Sequence, residues 1–105
     1  MPQLELRGIT LRYALTQYLA QHGPQTIPEL IDALEHQGFS IPGRPSKTVS
    51  DALRWEAKHG RVIRMRRGRY KFWDMPRSTE HRVYTRVMAL RREAKGTVPY
   101  RNRMN

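Results

Sequence analysis

Apolar residues recur at helical spacing near the start of the chain. Leu11, Leu15 and Leu19 lie four residues apart, which predicts a first helix over residues 10–22 that ends before a glycine-proline pair. The next residues, 25–27, are compatible with a short strand. The chain therefore begins as a helical domain with a small β component.

A second helix is predicted from its capping residues as well as from its apolar positions. Thr26 and Glu29 have the spacing of a capping box, and Pro28 between them suits the first helical turn. Gly38 is a good residue for the end of this helix. The apolar stripe consists of Ile27, Leu30, Ile31 and Leu34.

A third helix is predicted over residues 46–59, after a loop at 40–45 that contains two prolines and a glycine. Ser46 is the predicted N-cap. One face of the helix is suited to packing, although Glu56 interrupts it near the helix end, where its carboxylate is expected to reach water. The packing face holds Val49, Ala52, Leu53, Glu56 and Ala57, and the opposite face holds Lys47, Asp51, Arg54 and Lys58.

Two β-prone runs, 62–65 and 70–73, flank a turn that contains Gly68, which predicts a β-hairpin. Strand alternation separates basic from apolar side chains. The expected outward-facing residues are Arg64, Arg66, Arg69 and Lys71, and the expected core-facing residues are Ile63, Met65, Tyr70 and Phe72.

A fourth helix is predicted to begin at Ser78 or Thr79. Its apolar stripe is compatible with two arrangements, a homodimer through Val83, Val87 and Leu90 or packing against the rest of the same chain. The predicted organisation is a domain at residues 1–75, an amphipathic helix at 76–95 and a basic disordered tail at 96–105.

Positive charge is concentrated in the second half of the chain. The net charge is +11, from 20 basic and 9 acidic residues. Residues 1–43 carry two basic and four acidic side chains, residues 44–73 carry ten and two, and residues 76–105 carry eight and two. Such a distribution indicates a surface that meets a polyanion, and the alternative is a solvated basic face that only aids solubility.

The order helix, short strand, helix, turn, helix and hairpin over residues 9–73 resembles a winged helix-turn-helix domain. The run 60–72, in which a hydrophobic-basic strand turns through Arg-Gly into an aromatic strand, resembles the wing of that family, and more loosely the HARE-HTH group. The resemblance implies an α+β fold, mainly α, with three helices, a two-stranded wing and a following C-terminal helix. It also implies binding of double-stranded DNA, with helix 46–59 in the major groove.

The site residues that the resemblance implies lie on this helix and on the wing. They are Ser46, Lys47, Ser50, Arg54, Lys58, Arg64, Arg66, Arg67, Arg69 and Lys71.

These residues have different expected roles. Arg54 suits either a guanine edge or a phosphate, and Lys47 and Lys58 suit phosphates. The wing arginines suit phosphates or the minor groove. Asp51 is an acidic residue in the middle of this mostly basic face. It either accepts a hydrogen bond from the amino group of cytosine or pairs with Lys47 and Arg54 on the same helix. We favour the pairing.

No catalytic motif, metal site, cofactor or small-molecule ligand is indicated. Cysteine is absent, and the four histidines have no ligand-like spacing. No signal peptide or membrane span is expected, which favours the cytoplasm and the nucleoid. The predicted function is that of a transcriptional regulator or a nucleoid-associated protein. The alternatives are a protein-interaction adaptor and an RNA-binding module.

Overall fold

The computed structural model describes residues 3–96, and it has an α+β fold that is mainly helical, as the sequence predicts. The predicted tail, residues 96–105, lies outside the described residues apart from Gly96. None of the helices within residues 3–96 combines the length and apolar character that a bilayer-spanning segment requires. In chain order, the elements are β1 Leu4–Glu5, α1 Gly8–His22, β2 Gln25–Thr26, α2 Ile27–His36, β3 Phe39–Ser40, α3 Pro45–Lys58, β4 Val62–Arg64, β5 Arg69–Phe72 and α4 Arg77–Gly96.

The capping box predicted for α2 is confirmed. The backbone N–H of Thr26 donates to Glu29 Oε1 at 2.8 Å, and the backbone N–H of Glu29 donates to Thr26 Oγ1 at 3.3 Å. These bonds satisfy two backbone donors that a helix start otherwise leaves unpaired. Gly38 follows the last turn with φ of 95°, the left-handed conformation that ends many helices.

A short parallel pair, β1 with β3, is a feature that the sequence analysis did not predict. Leu4 lies opposite Phe39, and the backbone N–H of Leu6 donates to the carbonyl of Ser40 at 3.0 Å. Phe39 and Leu6 are both fully buried. The N-terminal segment is therefore part of the core.

The start of α3 differs from the prediction. The helix begins at Pro45, so that Arg44 is the N-cap residue and Ser46 lies inside the first turn, where its side chain is exposed. Pro45 suits this position because its fixed φ is helical and the N–H that it lacks would have no intrahelical partner.

The antiparallel sheet has the order β2-β5-β4, so the predicted hairpin is joined by a third strand. Val62 pairs with Phe72, and Arg64 pairs with Tyr70. Directly opposed residues share a face of the sheet. Val62 rather than Ile63 therefore faces the core. Arg64 lies on the same face as Val62 instead of the predicted outward face, and Met65, predicted to face the core, is 38% exposed. The predicted alternation of β4 is thus wrong by one residue, whereas that of β5 is correct.

The main core lies between α1, α2 and α3 and is closed by the sheet and by α4. Val49 and Leu53 are fully buried, which confirms the predicted packing face of α3. The buried cluster consists of Leu6, Leu11, Ala14, Leu15, Leu19, Leu30, Leu34, Phe39, Ile41, Val49, Leu53, Val62, Tyr70, Leu90 and Ala94.

Helix α4 packs within its own chain, mainly against α1. Val83, Val87 and Leu90 are only 2%, 2% and 4% exposed. A homodimer through these three side chains would require α4 to leave α1, because they are already covered. Of the two predicted arrangements, the structure has the packing within one chain.

Candidate nucleic-acid interface

The outer face of α3 carries exposed polar and basic side chains. Because Val49 and Leu53 turn one side of the helix into the core, the opposite side faces solvent. Ser50, at the margin of this face, is partly exposed. The exposed predicted site residues of α3 are Ser46, Lys47, Arg54 and Lys58.

Asp51 lies between two of these cations and binds both. Lys47 Nζ donates to Asp51 Oδ2 at 3.0 Å, and Arg54 Nη1 donates to Asp51 Oδ1 at 3.3 Å. This is the intrahelical pairing that the sequence analysis favoured. All three side chains remain about half exposed or more, so the pairs are open to competition from another anion.

The tip of the β4–β5 hairpin, residues 66–69, is a tight turn. Its two central residues, Arg67 and Gly68, have φ of 62° and 72°, and the backbone N–H of Arg69 donates to the carbonyl of Arg66. Two left-handed residues in succession give the turn a twist that matches the flanking strands. Glycine adopts this conformation freely, whereas for arginine it costs about 1–2 kcal/mol.

The hairpin carries five cations in different positions: Arg66 and Arg67 lie in the turn, Arg69 and Lys71 share one face of β5, and Arg64 lies on the opposite face of the sheet. Arg64, Arg66, Arg67 and Arg69 are exposed, whereas Lys71 is partly buried, with Nζ 5.6 Å from the centre of the Trp73 ring. Five of the predicted site cations have no carboxylate within 4.0 Å anywhere in residues 3–96. These five are Lys58, Arg64, Arg66, Arg67 and Lys71.

Arg69 differs from the other hairpin arginines because it approaches an acidic side chain. Its Nη1 lies 3.9 Å from Glu29 Oε1, and its backbone is paired with Thr26 of β2. The hydrogen bond from the Thr26 backbone lowers the pKa of Glu29, and the positive charge of Arg69 acts in the same direction. The first residue of β5, beside the hairpin tip, is thus connected to the start of α2.

Glu56 forms a buried ion-pair cluster that the sequence analysis missed. The carboxylate is 2% exposed rather than reaching water, so that expectation is wrong. Arg61 donates through Nε to Oε1 at 2.6 Å and through Nη2 to Oε2 at 3.1 Å, and Arg12 Nε lies 3.2 Å from Oε2. The bonds to Glu56 raise the pKa of Arg61. The cluster links α1, the end of α3 and the residue before β4.

Trp55 adds an aromatic layer to this cluster. The Arg12 guanidinium carbon lies 4.0 Å from the centre of the indole, and the His59 ring stacks on the indole at 3.7 Å. Two groups this close to one ring centre would overlap unless they lay on opposite faces. Both faces of Trp55 are therefore covered, which excludes base stacking on this residue as the structure stands.

The structure brings the site residues together in two groups, the outer face of α3 and the hairpin. Sequence spacing identified both groups, but no spacing pattern indicates that Glu56 pairs with Arg12, which lies 44 residues earlier.

Within residues 3–96 there is no group of three or more histidine and acidic side chains that could hold a metal ion. Comparisons with protein-family models, curated proteins and solved structures found no match to this chain.

Proposed function

We propose that this chain is a winged helix-turn-helix protein that binds double-stranded DNA, as a transcriptional regulator or a nucleoid-associated protein. Helix α3 occupies the major groove, and the β4–β5 hairpin is the wing. The proposal keeps the ten site residues that the sequence predicts, from Ser46 on α3 to Lys71 on β5.

The observation that carries the proposal is the set of unpaired cations on two adjacent elements. Lys58, Arg64, Arg66, Arg67 and Lys71 have no acidic partner in the described part of the chain. Four of the five are exposed, and Lys71 is partly buried. Unpaired cations repel one another, so the concentration of four of them on the hairpin, next to Lys58 on α3, favours a polyanionic ligand over a purely structural role.

The geometry of α3 suits a groove. Its 14 residues span roughly 21 Å at the usual rise per residue, and one α-helix fits the width of the major groove. Arg54, on the exposed face, presents a planar fork that can pair with guanine O6 and N7, after exchange of its contact with Asp51. Lys47 and Lys58 lie towards the two ends of the helix and suit phosphates.

The hairpin tip suits phosphates or a narrow minor groove. Arg66 and Arg67 are exposed at the turn, and Arg67 retains a left-handed conformation that glycine would adopt at lower cost. An arginine at that position places a cation at the furthest point of the hairpin, and narrow A·T-rich grooves attract arginine.

The test compares two double variants that lose the same charge from different surfaces. Arg66→Ala with Arg67→Ala removes the hairpin cations, and Arg86→Ala with Arg92→Ala removes two exposed cations from α4. We measure binding to random duplexes while salt is varied. The logarithm of the binding constant K falls linearly with the logarithm of the salt concentration. Each lost phosphate contact makes this slope less steep by about 0.9.

The hairpin variant is expected to bind weakly, with a slope of log K against log salt that is less steep by about two than that of the natural chain. The α4 variant is expected to keep the slope of the natural chain. Equal effects of the two variants would contradict the proposed surface. Failure of the natural chain to bind any duplex would reject DNA binding.

A second candidate function, a protein-interaction adaptor, is favoured by exposed apolar side chains. Trp73 and Tyr84 are among the largest of these. A defined protein partner that remains after nuclease treatment, together with negligible affinity for duplexes, would support the adaptor. Competition between duplex DNA and a structured RNA distinguishes the third alternative, RNA binding.

A further inference from the structure

A cavity of about 220 Å³ lies where α1, the end of α3 and the first turns of α4 meet. It is separate from the proposed DNA surface, since none of the ten proposed site residues lines it. Its lining combines guanidinium groups with apolar and aromatic side chains, among them Ile9, Arg12, Trp55, Arg61, Met75 and Arg82.

The cavity carries excess positive charge. Three arginines line it, Arg12, Arg61 and Arg82, against a single carboxylate, Glu56. That carboxylate is fully engaged, because both of its oxygens accept contacts from Arg12 and Arg61. The lining therefore has a formal charge of +2, which an anion would complement.

Several guanidinium donors at this cavity are unused. Arg61 binds Glu56 through Nε and Nη2, and Arg12 does so through Nε, so Nη1 of Arg61 and both Nη atoms of Arg12 have no acceptor among residues 3–96. Arg82 has only a long contact of 3.5 Å with Thr79. Paired guanidinium N–H groups match the two oxygens of a carboxylate or a phosphate.

The apolar part of the lining is accessible. Ile9 and Trp55 are 52% and 41% exposed, although apolar side chains of this size are usually buried. Because Arg12 and His59 cover both faces of Trp55, a ligand would meet the edge of the indole. The volume is below the roughly 300–1,000 Å³ of pockets for drug-sized molecules, so a body of about one ring fits.

We propose that this cavity binds a small organic anion, in which a carboxylate or phosphate group is attached to one apolar ring. The acidic group contacts Arg12, Arg61 and Arg82, and the ring contacts Ile9 and the edge of Trp55. Thr79, in the first turn of α4, also lines the cavity, and the positive end of that helix adds to the attraction.

The experiment uses benzoate and phenyl phosphate as probes, with benzyl alcohol as the neutral control. Trp73→Phe leaves Trp55 as the only tryptophan, so its fluorescence reports binding. Benzoate or phenyl phosphate is expected to cause a saturable change with a Kd of about 1 mM, as ligands of this size allow. Benzyl alcohol is expected to cause no change. The anion that binds with the lower Kd shows whether the site prefers a carboxylate or a phosphate.

Arg82→Gln tests the site, with Arg86→Gln as its control, because Arg86 is exposed on the same helix and does not line the cavity. Arg82→Gln is expected to weaken binding at least about fivefold, because it removes a direct contact to the anion. Arg86→Gln is expected to weaken binding less than about twofold, because its charge is distant from the anion and is screened by salt. No saturation with either anion, an equal response to benzyl alcohol, or equal effects of the two variants would overturn the proposal. The assay contains no nucleic acid, so its outcome is independent of the proposed function.

Discussion

At the scale of single residues, the two acidic side chains of α3 have opposite environments. Asp51 is exposed and is shared by Lys47 and Arg54, whereas Glu56 is buried and is held by Arg12 and Arg61. An exposed ion pair contributes little to stability, while removal of one partner from a buried pair is costly. The two residues therefore make separable predictions.

Glu56→Ala is expected to lower the free energy of unfolding by about 3 kcal/mol, the lower end of the range for a broken buried pair, because Arg12 and Arg61 are 22% and 28% exposed. Urea denaturation followed by circular dichroism measures the change. Asp51→Asn, which breaks exposed pairs on the same helix, is the control and is expected to cost less than about 1 kcal/mol. Equal losses would show that the buried cluster contributes no more than a surface pair.

Asp51→Asn also separates two roles in DNA binding. If Asp51 only holds its neighbours, the variant removes a charge that repels phosphate and is expected to strengthen binding to random duplexes several-fold. If Asp51 accepts a hydrogen bond from a cytosine, the variant instead weakens binding to duplexes that contain that base, by about 1–3 kcal/mol. A titration of random and selected duplexes at one salt concentration distinguishes these outcomes.

At the scale of elements, the start of α2 and the hairpin share residues. Thr26 caps α2 and also pairs with Arg69 in the sheet, and Glu29 completes the cap while it approaches the Arg69 side chain. The carboxylate also lies at the positive end of α2, where negative charge is favourable. The ionisation of Glu29 should therefore matter to folding.

The lowered pKa of Glu29 predicts a pH dependence with a defined sign. A carboxylate whose pKa is lower in the folded state stabilises the fold above its unfolded pKa of about 4.3, and this contribution is lost as the pH falls through the folded value. The difference in urea midpoint between the natural chain and Glu29→Gln is therefore expected to be constant above roughly pH 5 and to shrink in more acidic solution.

Glu35→Gln is the control for this experiment, since it removes the same charge from the last turn of the same helix. A difference between the natural chain and Glu29→Gln that widens as the pH is lowered would contradict the proposed linkage.

The elements that sequence patterns predicted well are those with local causes. Thr26 and Glu29 are three residues apart, so their capping box is visible in the sequence. Which alternate residues of β4 face the core is not visible in the sequence, because Val62 and Ile63 are both apolar and β-branched. Only the pairing with β5 decides which of the two faces the core. The β1–β3 pair was not predicted because its strands are two residues long and far apart in the chain.

The same distinction applies to the candidate site. Regular spacing along α3 identified its exposed cations directly, and alternation along β5 placed Arg69 and Lys71 on the face opposite Tyr70. The cluster around Glu56 and the cavity beside it depend on Arg12 of α1 and on Arg82 of α4, which only tertiary packing brings near α3. No local pattern in the sequence contains that information.

At the scale of the whole molecule, the net charge of +11 opposes compactness. Like charges repel in the folded state, and salt screens them over a Debye length of about 10 Å at 0.1 M. The thermal midpoint is therefore expected to rise by about 4 °C when NaCl is raised from about 20 to about 200 mM, equivalent to somewhat less than about 1 kcal/mol for a domain of this size.

Differential scanning calorimetry measures this effect. The double variant Arg66→Gln with Arg67→Gln is expected to have a higher midpoint at low salt and a smaller response to added salt, because both side chains are exposed and neither has an acidic partner in residues 3–96. A midpoint that falls as salt increases would show that ion pairs such as those of Glu56 outweigh the repulsion.

The pairing of β1 with β3 has a practical consequence for anyone who shortens or tags the chain. Leu6 fills space in the core, and its backbone is bonded to Ser40. A truncated version that starts at α1 would expose Phe39 to solvent and leave β3 without its neighbour. Protease resistance of the residues just before α3 would then decrease, so an N-terminal boundary that keeps Leu4 preserves this pairing.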